Sequence, residues 1–284
     1  MKFRMAIAET FVPDGKPADE ALRRTTQMGV GAHQDDVEIL GFRGILECLS
    51  SRDQWFTGVT CTDGSGSPRA GAYAGYTNEE MQVVRWQEQR TAASIGRYGA
   101  MIQLKYPSAA LKDPRNRDVT DDLRDIMLAA RPSVVYTHNL ADKHDTHLGV
   151  AGKVITVLRG LPADLRPKKV YGVEIWRNLD WLPDADKKVL DATGAEHTAA
   201  ALLGVFDSQI SGGKRYDLAT LGRWRSNATY LESHGVDTAQ HSIFAMDLTP
   251  VVEDDKLDVA EYVLGYIDKF RDDVKGRLDR FLPR

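Results

Sequence analysis

Short apolar runs alternate with stretches whose apolar residues recur every three or four positions, and this alternation organises most of the chain. Met28 to Ala32 is a short apolar run, the signature of a buried strand. Val37, Leu40, Ile45, Leu46 and Leu49 then repeat at helical spacing, which predicts a helix over 37–49. Trp55 to Thr62 is β-branched and aromatic and reads as a strand. Thr77-Asn78-Glu79-Glu80 opens a long helix to Tyr98, stopped at Gly99. Met101 to Tyr106 is a strand, and Thr120 to Ala130 a helix ended by Arg131-Pro132. Ser133 to Thr137 is a strand, Thr146 to Leu158 a helix ending near Gly160, and Lys169 to Trp176 one more strand. Strands alternating with helices predict an α/β fold with a mostly parallel sheet covered on both faces.

Both ends of the chain break this rhythm. Residues 1–26 read as a polar, irregular lead-in, with Pro13, Gly15 and Pro17 interrupting any helix. After residue 176 the pattern turns helical, over Ala185–Phe206, Asp217–Ser233 and Val252–Phe281. The last of these carries Ala260, Val263, Leu264, Ile267, Phe270, Val274, Leu278 and Phe281 on one stripe. Such a stripe must bury its apolar face, either on the core or on a second subunit, so a homo-oligomer is an expected state. The reading is one domain with a helical C-terminal elaboration, residues 236–284 forming the extension.

Composition narrows the class without naming a function. The chain has 284 residues, enough for a sizeable core, and its net charge of −4 with 27% charged residues gives no nucleic-acid footprint. No apolar run approaches the length of a membrane span, and the N-terminal apolar stretch is too short for a signal peptide. The two cysteines, Cys48 and Cys61, form no CxxC pair and read as reduced core residues of a cytoplasmic protein.

The chemistry sits in two clusters, each directly behind a predicted strand. The first is Gly31-Ala32-His33-Gln34-Asp35-Asp36-Val37-Glu38-Ile39; the second is His138-Asn139-Leu140-Ala141-Asp142-Lys143-His144-Asp145-Thr146-His147. Three of the seven histidines fall within ten residues, and a fourth stands beside paired aspartates. Adjacent aspartates at a helix start ordinarily serve as caps, and a lone histidine ordinarily serves structure. Their coincidence at one strand edge, where open α/β sheets bind ligands, outweighs those readings. His33 and Asp36, three residues apart, can reach one ion, and His147 is the natural third ligand. Asp35 points differently and is left to accept a proton from the water such an ion would activate. His144, one turn before His147, is placed to donate a hydrogen bond or a proton.

With these residues in view a family resemblance becomes specific. His33-Gln34-Asp35-Asp36 resembles the His-Pro-Asp-Asp motif of the LmbE/PIG-L family of zinc-dependent de-N-acetylases, and Asp35-Asp36-Val37-Glu38-Ile39 resembles a variant in its bacterial thiol-biosynthesis members. His144-Asp145-Thr146-His147 resembles the second motif, His-Pro-Asp-His. Thr60-Cys61-Thr62-Asp63-Gly64 is similar to the family's second strand and loop, Arg85-Trp86-Gln87-Glu88 to its Arg-xx-Glu helix, and Ser208-Gln209 to a further signature. The likeness covers roughly residues 27–235, which are thereby expected to be the catalytic domain. It implies a Rossmann-like fold binding no nucleotide. It also implies zinc or another divalent metal on His33, Asp36 and His147, Asp35 as general base, His144 as electrophilic or acidic histidine, and Arg85 on the substrate. Two departures stand out. Gln34 replaces proline and is expected to loosen the turn, and Thr146 replaces the aspartate that supports the neighbouring histidine, a task open to Asp142 or Asp145.

Other signals are weaker. Gly64-Ser65-Gly66-Ser67-Pro68 fits neither phosphate-loop pattern and reads as a flexible active-site loop. Asp63, at its start, and Asp142 are further candidates for substrate contact. Tyr73, Tyr76, Trp86, Trp176 and Trp181 offer an aromatic platform for a sugar, or plain packing. His197 reads as structural, while His234 and His241 are candidates for reaching the pocket. The leading expectation is a metal-dependent hydrolase removing an acyl, notably acetyl, group from the nitrogen of an amino sugar or related small molecule. The alternatives are hydrolysis of another amide or ester in secondary or xenobiotic metabolism, and a non-catalytic binding protein on the same fold. The expected partner is a small N-acylated substrate, with no nucleic acid and no membrane.

Overall fold

In the computed structural model, which describes residues 1–235 and 237–283, eight strands form one sheet with helices on both faces. In chain order the elements are β1 (Glu9–Phe11), α1 (Ala18–Arg23), β2 (Gln27–Gly31), α2 (Asp36–Leu40), α3 (Phe42–Leu49), β3 (Phe56–Thr62) and α4 (Asn78–Ile95). There follow β4 (Ala100–Tyr106), α5 (Ser108–Lys112), α6 (Arg117–Ala130), β5 (Val134–His138), α7 (Asp145–Arg159) and β6 (Lys169–Val173). The chain closes with β7 (Lys188–Asp191), α8 (Glu196–Gly204), α9 (Asp207–Ile210), α10 (Tyr216–Ser226), β8 (Ser242–Asp247), α11 (Thr249–Glu253) and α12 (Val259–Phe281).

The strand order is β1-β4-β3-β2-β5-β6-β8-β7. The pairs from β4 through β3, β2 and β5 to β6 are parallel, and the three outer pairings are antiparallel. From β2 the chain moves to β3 on one side and later returns to β5 on the other, so the order reverses between β2 and β5. Ligands gather outside the carboxyl ends of the strands at such a point. Gly31 ends β2 and His138 ends β5, which brings the two sequence clusters together there.

The alternation of side chains along β2 explains how. Met28 and Val30 face the α6–α7 side, in a core with Ile102, Leu123 and Val154. Gly29 and Gly31 face α2. A methyl on Gly29 would come within 2.8 Å of Phe56, and one on Gly31 within 2.8 Å of the Asp36 Cβ. The bare strand surface therefore lets α2 lie close, with Asp36 at its first turn. On that face Val37, Leu40, Phe42, Phe56, Tyr98, Phe206 and Trp224 form the second core. Thr77 opens α4 with the reciprocal cap its sequence predicts, accepting from the Glu80 N–H while the Glu80 carboxylate accepts from Thr77 N–H.

Several expected elements are corrected. The lead-in holds a strand: β1 takes the free edge of β4, pairing Glu9 with Gln103, and α1 starts directly after Pro17. Three and six residues are too few to display a period. The helix expected over 37–49 is two helices broken at Gly41, where any side chain would strike Phe56 and the Val37 carbonyl. Within 185–206 the chain forms β7 and only then α8, the two separated by Gly194 at φ +80°. The helix expected over 217–233 ends as α10 at Ser226, followed by a 3-10 turn at Asn227–Thr229. Residues 236–284 are more than a helical extension, because β8 inserts between β6 and β7 in the main sheet. The last helix is likewise split, α11 and α12 being separated at Asp254–Asp258.

Candidate active site

The turn after β2 places the first cluster. Asp36 Oδ2 accepts from the His33 N–H at 2.6 Å, which folds the turn back on itself. Gln34 is fully buried and pins the turn rather than loosening it: its amide donates to the Thr62 carbonyl at 3.1 Å. Its own carbonyl accepts from Arg85 Nη2 at 2.7 Å. Between them Asp35 sits at φ +105°, a region that L-residues rarely adopt and that costs about 1–3 kcal/mol. Residues held in such regions cluster at active sites and ligand clamps.

Across the reversal point, His147 on the first turn of α7 is fully buried. Its Nδ1 meets Asp142 Oδ2 at 3.2 Å, which turns Nε2 toward the first cluster. There it lies 3.3 Å from His33 Nδ1 and 3.5 Å from Asp36 Oδ2, and the last two atoms are 3.2 Å apart. Ligand bonds of about 2.0–2.1 Å at tetrahedral angles would separate ligand atoms by about 3.3–3.4 Å. The triad thus has the edge lengths of a tetrahedral site. The donor set, two imidazoles and a carboxylate, suits a divalent ion of the zinc type. A second grouping, His138, Asp142 and His147, is entirely enclosed and leaves no position for substrate. It serves as the backing of the first.

His138 is the neighbour of the triad to which the sequence reading gave no role of its own. It ends β5 fully buried, stacks on His147 with ring centroids 3.8 Å apart, and accepts from the Ala32 N–H at Nε2. It therefore fixes both the ring of one candidate ligand and the backbone leading to another. Its position as the last residue of a strand at the reversal point was the available signal. Burial, with His147 adding to it, holds His138 well below its ordinary value, so the ring is neutral. Burial also lowers His33, against the pull of Asp36. For His147 the carboxylates of Asp36 and Asp142 overcome burial and raise it. Asp36 is held well below the usual carboxylate range despite burial, because three histidines surround it.

The triad opens into a cavity of about 290 Å³ whose walls include Asp35, Arg85, His144, Lys112, Trp176 and Tyr216. Burial, with Asp36 beside it, pushes the Asp35 carboxyl well above its ordinary range. His144 is exposed at the mouth, edge-on to His33 at 5.0 Å. Burial and its histidine neighbours lower its pKa, so it is a neutral hydrogen-bond donor rather than a standing cation. Arg85 is buried in the wall and reaches the cavity.

Two expected substrate contacts lie elsewhere. Asp142 faces His147 instead of the cavity, and its Oδ1 accepts from the His144 N–H at 3.1 Å. It thus supports the candidate ligand His147 through its ring and His144 only through its backbone; Asp145 is exposed. Asp63 accepts from Ser65 N–H and Oγ, shaping its own loop. Of the five aromatic residues only Trp176 lines the cavity, edge-on to Tyr216 at 5.0 Å. His241 is buried against Trp224 and His234 is exposed on a loop, so neither lines the cavity. The glycine-rich loop is tied down rather than free, because Gln209 donates to Ser67 Oγ while Glu88 accepts from Ser208 N–H and Oγ.

Comparison with known proteins agrees with this geometry. Residues 28–158 match the family described as "PIG-L: GlcNAc-PI de-N-acetylase". No curated protein matches the sequence. Among solved structures the chain is similar to N,N'-diacetylchitobiose deacetylase from Pyrococcus horikoshii, at 18% identity and TM-score 0.57, over 78% of this chain and 83% of that one. It is also similar to GalB, the 4-carboxy-2-hydroxymuconate hydratase of Pseudomonas putida KT2440, at 16% identity and TM-score 0.57, over 80% and 97%. A conserved protein from Thermus thermophilus matches at 17% identity and TM-score 0.58, over 83% and 100%. At such identities the likeness is one of fold.

Proposed function

The chain carries a PIG-L-family de-N-acetylase domain, and on that premise we propose that it removes an acetyl or similar acyl group from the nitrogen of an amino sugar or related small molecule. The observation that carries this reading is the convergence of His33 Nδ1, Asp36 Oδ2 and His147 Nε2 at tetrahedral spacing, open to a cavity that holds Asp35. In the proposal these three residues hold zinc. When bound, such an ion polarises the acyl carbonyl and acidifies the attacking water. Asp35, its carboxyl raised by burial, takes the proton of that water. His144 donates a hydrogen bond to the oxygen that becomes negative as the carbonyl carbon turns tetrahedral. The proton held by Asp35 then passes to the leaving nitrogen. Arg85 and the Trp176–Tyr216 wall orient the substrate. Two buried, unpaired thiols, Cys48 and Cys61, support a reducing, cytoplasmic setting. Among the described residues no helix is long and apolar enough to cross a membrane.

The test is release of primary amine from a panel of N-acetylated sugars and small amides, with and without a chelator, run beside Asp35→Asn. Chelator-sensitive release by the wild-type chain is expected, with Asp35→Asn keeping its metal and losing most turnover. Release untouched by chelation overturns the metal assignment. Full turnover by Asp35→Asn overturns the base. Amine release from no compound by the metal-loaded chain refutes the N-deacylation reading.

A further inference from the structure

Asp35 keeps its φ of +105° because the peptides on both sides of it are tied down. The peptide joining Gln34 to Asp35 is trans, so its C=O and N–H point in opposite directions. Side chains of α4 take both. Arg85 Nη2 donates to the Gln34 carbonyl at 2.7 Å, and Gln89 Oε1 accepts from the Asp35 N–H at 3.4 Å. Arg85 and Gln89 are four residues apart, hence neighbours on one face of the helix. One turn of α4 thus holds a single peptide plane at its two ends. Beyond Asp35, the Asp36 N–H donates to the His33 carbonyl at 3.2 Å. With both flanking planes fixed, the dihedrals between them have no room to relax.

Gln89 is in turn held from behind. It is fully buried, and its Nε2 donates to Glu38 Oε1 at 2.8 Å. The Tyr98 hydroxyl donates to the same oxygen at 2.8 Å. Its own Oε1 therefore faces the other way, accepting from Thr60 Oγ1 at 3.3 Å as well as from Asp35. Gln89 lines no wall of the cavity, so a substrate contact does not account for it. The candidate metal ligands of the same turn are tied separately, through the His33 N–H and Asp36 Oδ2.

On the hydrolytic reading proposed above, we infer that Gln89 and Arg85 are positioning residues that clamp the Gln34–Asp35 peptide and so hold the Asp35 carboxyl in the cavity. The base is thus set by a helix more than fifty residues further along the chain, rather than by the turn that carries it.

The test is a pair of double-mutant cycles between Gln89→Leu and substitutions at Asp35. The first reads amine release by the metal-loaded chain. Gln89→Leu is expected to lower kcat about tenfold to a hundredfold, as a misplaced catalytic group does, with KM and zinc affinity within about threefold of wild type. Added to Asp35→Asn it is expected to cost no more than about twofold, since no base is left to position. Equal losses in the two backgrounds make Gln89 a structural residue only and overturn the inference. The second cycle reads denaturant unfolding in a chelator and needs no turnover. Glycine adopts φ +105° freely and alanine does not, so Asp35→Gly is the more stable of the two. In the Gln89→Leu background the turn can relax, and this advantage is expected to shrink to less than about half. An undiminished advantage overturns the inference. Arg85→Met releases the other end of the same peptide and is expected to shrink the advantage likewise; it serves where Gln89→Leu does not fold. Amine release from no compound refutes the hydrolytic reading and not the clamp, which the second cycle then decides alone.

Discussion

Asp142→Asn separates the two jobs that this carboxylate performs. Its Oδ2 meets His147 Nδ1 at 3.2 Å, and its Oδ1 accepts from the His144 N–H at 3.1 Å. Burial pushes the carboxyl up, but the bond from His147 and its charge pull it further down, so it is ionised and accepts at both oxygens. An amide offers one oxygen and one NH2. If the oxygen faces His147, the NH2 confronts the His144 N–H, donor against donor. If the amide is reversed, His147 keeps its bond only by moving its proton to Nε2, the nitrogen aimed at the candidate metal position. Either way a buried, charge-assisted bond is lost, which costs about 1.5–3 kcal/mol. That range overlaps the ten- to hundredfold loss of metal affinity typical when the partner of a ligating histidine is removed. The assay is zinc titration of the metal-free protein against a competing chelator, with thermal melts in the chelator to report folding separately. The expected result is a ten- to hundredfold weaker zinc complex with a modest change in the metal-free melt. Zinc affinity within about twofold of wild type would falsify the orienting role assigned to Asp142.

Asp35→Gly should be more stable than Asp35→Ala by about 1–2 kcal/mol, reversing the usual order of glycine and alanine, because φ +105° suits only glycine. Denaturant unfolding of the two variants checks this, and alanine at least as stable as glycine would deny the strain. Gly31→Ala should weaken metal binding even where the protein folds, since the added methyl meets Asp36 Cβ at 2.8 Å; unchanged affinity would show that α2 shifts freely. Glu88 predicts a pH effect on stability. Burial raises its carboxyl, so the protonated form is favoured in the fold. That stability is complete below the unfolded value and disappears as pH rises through the folded one. Glu88→Gln can keep both contacts to Ser208, whose hydroxyl is able to rotate, so its stability relative to wild type should rise with pH. Parallel unfolding curves from acid to mild alkali would exclude Glu88 as the titrating group.

The parallel centre of the sheet was legible because each central strand is a dense apolar run and each crossover helix has a full period. The edges were not. β1 is three residues long, β7 is four, and β8 follows a stretch of polar loop, so none displays a pattern apart from its neighbours. His33, Asp36 and His147 were legible because their spacing within each turn is local. The role of Asp142 was not, since which histidine it supports depends on how α7 rotates its first turn. Gln34 misled for a similar reason: as a non-proline it read as slack, but its amide finds the Thr62 carbonyl, a contact between residues distant in sequence. The α12 stripe was visible at once, and only the structure showed that the core leaves most of it uncovered.

The bond from the Ala32 N–H to His138 spans 106 residues, and the contact between His33 and His147 spans 114. Neither can form until β5 has docked beside β2, after α2 to α6 have been placed between them in sequence. Bringing the candidate metal triad together therefore closes a loop of more than a hundred residues, at a cost in chain entropy that grows only slowly with its length. The three donors come together only where β2 and β5 lie side by side, so the grouping belongs to the folded chain. An ion held by the triad would favour the native state over the unfolded one and raise stability in step with its binding.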